Sequence, residues 1–180
     1  QAGAAHLVVG RPVYKADDPF AAAGAINDEI HAANDAVTHI RPADPEDAAT
    51  LSEIDHDATK RFDNMGGAYA AANLTGLSAE IYAENLRKNE LFGLIEHHDL
   101  PVGFVRARPV DDLLYIAEIC VARAHQGKGL GRRLLAHMRQ YARENEFKGL
   151  AGLTWKQVPI NGPYYLHNGF EEWSLGEVGT

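Results

Sequence analysis

Apolar positions along the chain form alternating strand-like runs and helix-like stripes, and their order predicts a mixed α/β domain. Residues 38 to 41 read as an opening strand, stopped by Pro42. Asp44-Pro45-Glu46-Asp47 then supplies an N-cap, a proline at the first helical position and acids in the first turn. Ala48, Leu51, Ile54, Ala58 and Phe62 follow at helical spacing, and the charged residues of this helix are assigned to solvent. Met65-Gly66-Gly67 breaks it. Residues 77 to 89 predict a second helix, capped by Ser78, with Ile81, Tyr82 and Leu86 on its apolar side. Residues 91 to 96 and 102 to 107 read as an antiparallel hairpin joined by the polar turn His97-His98-Asp99-Leu100-Pro101.

Past a turn at Asp111-Asp112, residues 113 to 121 form a largely apolar central strand. A helix from about Leu130 places Leu130, Leu134, Leu135, Met138, Tyr141 and Ala142 on one side, and Lys148-Gly149 stops it. Residues 150 to 155 make the next strand, which runs parallel to the previous one because a helix connects them. Residues 1 to 37 differ. They are alanine-rich with five acids and two bases, and they lack the basic start and apolar stretch of a signal peptide. They are read as an extension partly without fixed structure, preceding a domain at residues 38 to 180. One reading is an upstream leader, with Val37 encoded by an alternative start codon.

Composition narrows the class. At 180 residues the expectation is one folded domain, and no apolar run approaches the roughly 18 residues that span a bilayer. Cys120 is the only cysteine, which excludes an internal disulfide and a cysteine-based zinc site and makes the cytoplasm the default location. A net charge of −8 argues against nucleic acid as a partner and suits cationic, amine-bearing ligands.

Chemistry concentrates between Ile119 and Leu135. Gly127, Gly129 and Gly131 let backbone N–H groups converge where a helix N-terminus adds its positive dipole end, which makes a socket for a phosphate or pyrophosphate. Arg123, Lys128, Arg132, Arg133, Arg139 and Arg143 lie nearby with no intervening acid. A Walker A loop needs Ser or Thr after its lysine, whereas Gly129 follows Lys128. A dinucleotide fingerprint needs G-x-G-x-x-G in the first strand-helix unit, whereas this spacing is G-x-G-x-G and lies two-thirds along the chain. Glu118 is the one acid inside the apolar run Leu-Leu-Tyr-Ile-Ala-Glu-Ile-Cys-Val, where it needs a partner, water or a raised pKa. Cys120 has no histidine at an evident spacing to activate it, and adjacent His97 and His98 face opposite ways on a strand, so neither a thiol nucleophile nor a metal site is expected.

Gln126-Gly127-Lys128-Gly129-Leu130-Gly131 matches Q/R-x-x-G-x-G/A and resembles the pyrophosphate loop of the GNAT superfamily of acyl-CoA-dependent N-acetyltransferases. Asn161, Tyr165 and Gly169-Phe170 resemble that family's N-x-x-x-Y-x-x-x-G-F, and Val158-Pro159 with Asn161, Pro163 and Tyr165 is similar to bacterial members. The resemblance covers roughly residues 38 to 175. It implies a GNAT fold: a mixed, mostly antiparallel sheet flanked by helices, its fourth and fifth strands splayed, with a short helix and a Gly-Phe turn leading into the last strands.

The resemblance also implies an acetyltransferase acting by direct transfer from acetyl-CoA to an amine. Glu118 would be the general base and Tyr165 the acid toward the thiolate. Pantetheine would bond backbone at Cys120 and Val121, with Val121 N–H also polarising the thioester, and Gln126, Gly127, Lys128, Gly129, Gly131 and Arg132 would hold the pyrophosphate. Asn161 would fix the cofactor or the helix bearing Tyr165, and Arg133 is a further candidate for neutralising phosphate. Arg61, Phe62, Tyr69 and Tyr82 are candidates for acceptor contact, and the loops expected to select the acceptor, 62 to 82 and 108 to 112, carry no legible motif. No metal is implied, and dimers are common in the family. The alternatives are a non-catalytic acyl-CoA sensor of the same fold and a different phosphate-ligand binder.

Overall fold

A computed structural model of the chain describes residues 18, 37–63, 76–88, 90–154 and 161–173. The chain divides into two compact units, Gln1–His39 with His97–Asp99, and Ile40–Glu96 with Leu100–Thr180. In the first unit, His98 and Asp99 both take positive φ, 52° and 60°, the combination required by the commonest two-residue hairpin turn. The Thr38 hydroxyl lies 2.8 Å from His97 Nδ1, and His98 N–H donates to the Val37 carbonyl.

Among the described residues, five strands form one open sheet in sequence order: β1 (Thr38–Pro42), β2 (Leu91–His97), β3 (Leu100–Val110), β4 (Leu113–Val121) and β5 (Gly149–Gly152). β3 and β4 pair antiparallel, and β4 and β5 pair parallel, with the helix α3 (Leu130–Glu144) as the crossover. Helix α1 (Ala48–Thr59) lies between short 3-10 turns and is followed by α2 (Ala79–Arg87). The short α4 (Asn161–His167) comes last.

In the second unit the sheet is covered on both faces. Leu51 and Ile54 of α1 and Tyr82 of α2 pack on Phe92, Leu94 and Phe104, with the Tyr82 ring edge-on to Phe104 at 5.5 Å. Leu130, Leu134 and Met138 of α3 pack on Ile95, Val105, Leu114 and Ile116 on the other side. Ordinary alternation along β4 would keep residue 118 with Leu114 and Ile116, on the α3 side. The register shows otherwise. Arg106 opposes Glu118 while Ala107 opposes Ile116, so Ala117 is an extra residue, a β-bulge. Past it the alternation inverts: Ile119 and Val121 pack with the α3 cluster and Cys120 with the α1/α2 cluster.

The β4/β5 pairing ends at the same place, with Ile116 opposite Gly152, and the rest of β4 has no strand on that side among the described residues. The splay implied by the family resemblance is therefore present. Some boundaries differ from the sequence reading. β5 stops at Gly152, Leu153 is exposed and Thr154 is outside any strand. Ile81 is exposed and does not join the apolar side of α2. Residues 171–173 form no strand, and the Met65 glycine break, Tyr69 and Val158-Pro159 lie outside the described residues. Of the positions assigned to loop 108 to 112, residues 108–110 belong to β3.

Candidate active site

A cleft of about 670 Å³ opens where β4 leaves β5, between the end of α1, the glycine turn, the start of α3 and α4. Glu118, Cys120, Val121, Gln126, Gly127, Gly129, Gly131, Arg132, Asn161 and Tyr165 all line it, as do Arg61 and Phe62. Lys128 does not. It stands exposed, outside the wall.

At the turn, Gly127 and Gly129 have φ of 74° and 79°, a region that strains any L side chain, and a β-carbon at either would meet nothing within 4 Å. The space beside both α-carbons is open. The Gln126 side chain straps the turn to the end of β4, its Nε2 donating to the Val121 carbonyl at 2.8 Å. Gly131 departs from its neighbours. It lies inside α3, where a β-carbon would stand 2.6 Å from the Tyr164 hydroxyl. That hydroxyl is buried without a hydrogen-bond partner among the described residues. Arg139 is turned away to brace α4, donating to the Asn168 carbonyl and lying 5.4 Å over the Phe170 ring.

Backbone geometry selects which strand groups face the gap. Ala122 N–H donates to the Val102 carbonyl, so in this antiparallel register the backbone of Cys120 is turned toward β3, and that of Ile119 and Val121 toward the missing strand. Of the pair Cys120 and Val121, only Val121 therefore turns its backbone toward the gap. Cys120 reaches the cleft in another way, its Sγ lying 3.6 Å from Asp55 Oδ1.

Tyr165 is held by the end of its own helix. Gly169 takes φ 78°, its N–H donates to the Leu166 carbonyl, and Phe170 N–H donates to the Tyr165 carbonyl. These are the two bonds of a Schellman cap, and the apolar contact that accompanies it is made by the Tyr165 and Phe170 rings at 5.3 Å. The spacing Y-x-x-x-G-F is therefore the arithmetic of a helix end. Burial raises the Tyr165 phenol well above its usual range, with Tyr164, Cys120 and Tyr115 adding to the effect. Tyr165 feels Cys120 and Tyr115 of β4, whereas Tyr164 lies against Gly131 and feels Arg139 and Arg132.

The acid centre is built on the α1/α2 face that the bulge presents. Burial, then the charge of Asp55, push the Glu118 carboxyl up to about 7, while Arg106 restrains the rise. Arg106 Nε lies 3.2 Å from Glu118 Oε2, and its Nη1 lies 3.0 Å from Glu90. Asp55, assigned to solvent from sequence with the other charges of α1, is only 3% exposed. It accepts from Leu77 N–H at 2.7 Å, from the Tyr82 hydroxyl at 2.8 Å and from the Thr59 hydroxyl at 3.1 Å. The signal that marks it is its place in the stripe: Leu51, Ile54 and Ala58 flank it on the buried side of α1. Arg106 was also unmarked by sequence, since only the sheet register sets it opposite Glu118. Ligand atoms of Asp55, Glu118 and Cys120 lie within 4.8 Å of one another, and protein donors already engage both carboxylates.

The arrangement is a carboxylate near neutrality and a phenol on one cleft, beside a glycine turn and a strand edge with no neighbouring strand among the described residues. No helix among the described residues is long and apolar enough to cross a membrane. Solved structures share the fold at low identity. A PaiA N-acetyltransferase of Thermoplasma acidophilum, in complex with coenzyme A, is 17% identical with a TM-score of 0.62 over 74% of this chain and 89% of that one. A ribosomal-protein alanine N-acetyltransferase of Escherichia coli is 19% identical with a TM-score of 0.63 over 76% and 79%. An aminoglycoside acetyltransferase from an uncultured soil metagenomic sample, in complex with sisomicin, is 16% identical with a TM-score of 0.62 over 78% and 94%. A family model described as Acetyltransferase (GNAT) family matches residues 53–170, well over half of the sequence, and the chain belongs to that family.

Proposed function

We propose that the protein moves an acetyl group from acetyl-CoA directly to an amine, with Glu118 as general base and Tyr165 as general acid. The observation that carries this reading is the bulge at Ala117, which turns Glu118 into the same cleft that Tyr165 lines. The family relationship and a neighbour that holds coenzyme A support acyl-CoA as the donor.

The residues fit such a carrier. Gly127 and Gly129 open the turn for a pyrophosphate, Arg132 on the wall supplies charge, and the backbone of Ile119 and the Val121 N–H, which face away from β3, suit the amide-bearing arm. When bound, the thioester supplies an activated acyl carbon. The Val121 backbone N–H is assigned to polarise its carbonyl. An alkyl amine with pKa about 10.4 is almost wholly protonated at neutral pH, and presenting its neutral form costs roughly 4.6 kcal/mol. A carboxylate titrating near 7 is matched to taking that proton. Tyr165, kept protonated by burial, has a proton to give to the departing thiolate. Burial likewise pushes the Cys120 thiol well up, which leaves little thiolate for an acyl-enzyme route and favours direct transfer.

Release of CoA across a panel of amines tests the reading. Glu118→Gln and Tyr165→Phe are expected to bind acetyl-CoA as the wild type does and to turn over at least about tenfold more slowly. Binding of acetyl-CoA with no turnover of any amine would instead favour a sensor, and indifference to acetyl-CoA would refute both.

A further inference from the structure

The Tyr82 hydroxyl lies between two carboxylates, 2.8 Å from Asp55 Oδ2 and 3.0 Å from Glu118 Oε2. A phenol has one hydrogen, so it donates to one of these oxygens and serves the other only as an acceptor. The second contact is a hydrogen bond only when that carboxyl carries a proton. The surroundings select which one does. Asp55 is buried and already accepts from Leu77 N–H, the Thr59 hydroxyl and the Cys120 thiol, so its two oxygens are occupied as acceptors. Among the described residues Glu118 accepts from Arg106 and otherwise contacts the Tyr82 hydroxyl, and it lines the cleft.

We propose that Asp55 is a positioning residue for Glu118: its carboxylate takes the Tyr82 hydrogen, leaving the phenol oxygen to accept a hydrogen bond from Glu118 after Glu118 has received the amine proton. This rests on the reading of Glu118 as the base. The step balances within the site. The amine N–H bond breaks, an O–H bond forms on Glu118, and that new O–H points to Tyr82 Oη while Tyr82 keeps its own hydrogen on Asp55. The groups that face Glu118 act in two directions. Arg106 of β3, shared with Glu90, favours the ionised form, and Asp55 of α1, working through Tyr82 of α2, favours the protonated one; Cys120 is the next side chain on the same face of β4. Asp55 thereby makes Glu118 a stronger base than burial beside an arginine allows.

The test follows the Glu118 carboxyl itself by carbon NMR in the full chain, its resonance assigned by its loss in Glu118→Gln. Asp55→Asn keeps an oxygen for Leu77 N–H and Tyr82 while removing the charge. Tyr82→Phe keeps the ring and removes the acceptor oxygen. The wild-type midpoint is expected near 7. Each substitution is expected to lower it, Asp55→Asn by about one pH unit or more. If neither moves the midpoint, or if Tyr82→Phe raises it because the phenol had been donating to Glu118, the proposal is overturned and the acyl-transfer reading stands. The acid limb of kcat/KM is then compared on the same variants. A limb that follows the midpoint supports both readings, and a midpoint that shifts under an unmoved limb supports the Asp55 pairing while removing Glu118 as the base.

Discussion

At Gly131 the missing side chain makes room for a neighbour. A β-carbon there would stand 2.6 Å from the Tyr164 hydroxyl and 3.5 Å from Cζ, so only the oxygen is in serious conflict. Elsewhere in a helix, alanine for glycine is worth about 1 kcal/mol of added stability. Gly131→Ala is therefore expected to lower the melting temperature in the wild type and to raise it in a Tyr164→Phe background. The double-mutant cycle reads that change of sign directly, and additive effects would remove the contact from the account. Sequence alone grouped Gly131 with the two turn glycines, because a motif records where glycine stands and not what fills the space it leaves. Asp55 was misread for a related reason. Its type, a carboxylate on a helix with other charges, outweighed its place in the stripe, because its donors, Leu77 N–H and two hydroxyls, come from segments outside its own helix or from a later turn of it.

At the scale of elements, the helix periodicities and the parallel β4/β5 crossover were legible because each follows from local spacing and connection length. The bulge was not. An apolar run containing one acid is compatible with either face, and only the register against β3 reveals Ala117 as the extra residue that turns Glu118 toward Asp55 and Tyr82. The Tyr165 motif was legible as a spacing, and its cause is the Schellman cap on α4. That cause gives a prediction. Gly169→Ala forces a β-carbon into the left-handed region at a cost of about 1 kcal/mol and loosens the bonds to the Tyr165 and Leu166 carbonyls. Melting temperature is expected to fall by about 2–4 °C, and turnover to fall with the affinity for acetyl-CoA little changed. A loss of affinity alone would place the effect at the glycine turn.

For the molecule as a whole, the acid centre is expected to oppose folding under the conditions in which it is ready to react. Glu118 ionises near 4.5 in an open chain and near 7 in the fold, so between these values the native state holds a proton that the unfolded state has released. Its contribution to stability accordingly declines as pH rises through that window, and the decline is complete above 7. Asp47, lowered chiefly by its bond to Arg41, acts in the opposite sense: it contributes above its open-chain value and that contribution is lost as pH falls. Removing the Glu118 charge should reveal the first of these effects by itself. Glu118→Gln preserves size and an acceptor for Arg106 but has nothing to ionise, so at about pH 8 it is expected to be more stable than the wild type by about 1–3 kcal/mol, a gain of several degrees in melting temperature. At about pH 4.5 the wild-type carboxyl is itself protonated in the fold, and the two melting curves are expected to converge. Paired thermal melts across this range make the comparison. A difference independent of pH would mean that the native Glu118 titrates like an ordinary glutamate, and with it would go the match between this carboxyl and the proton it is proposed to accept.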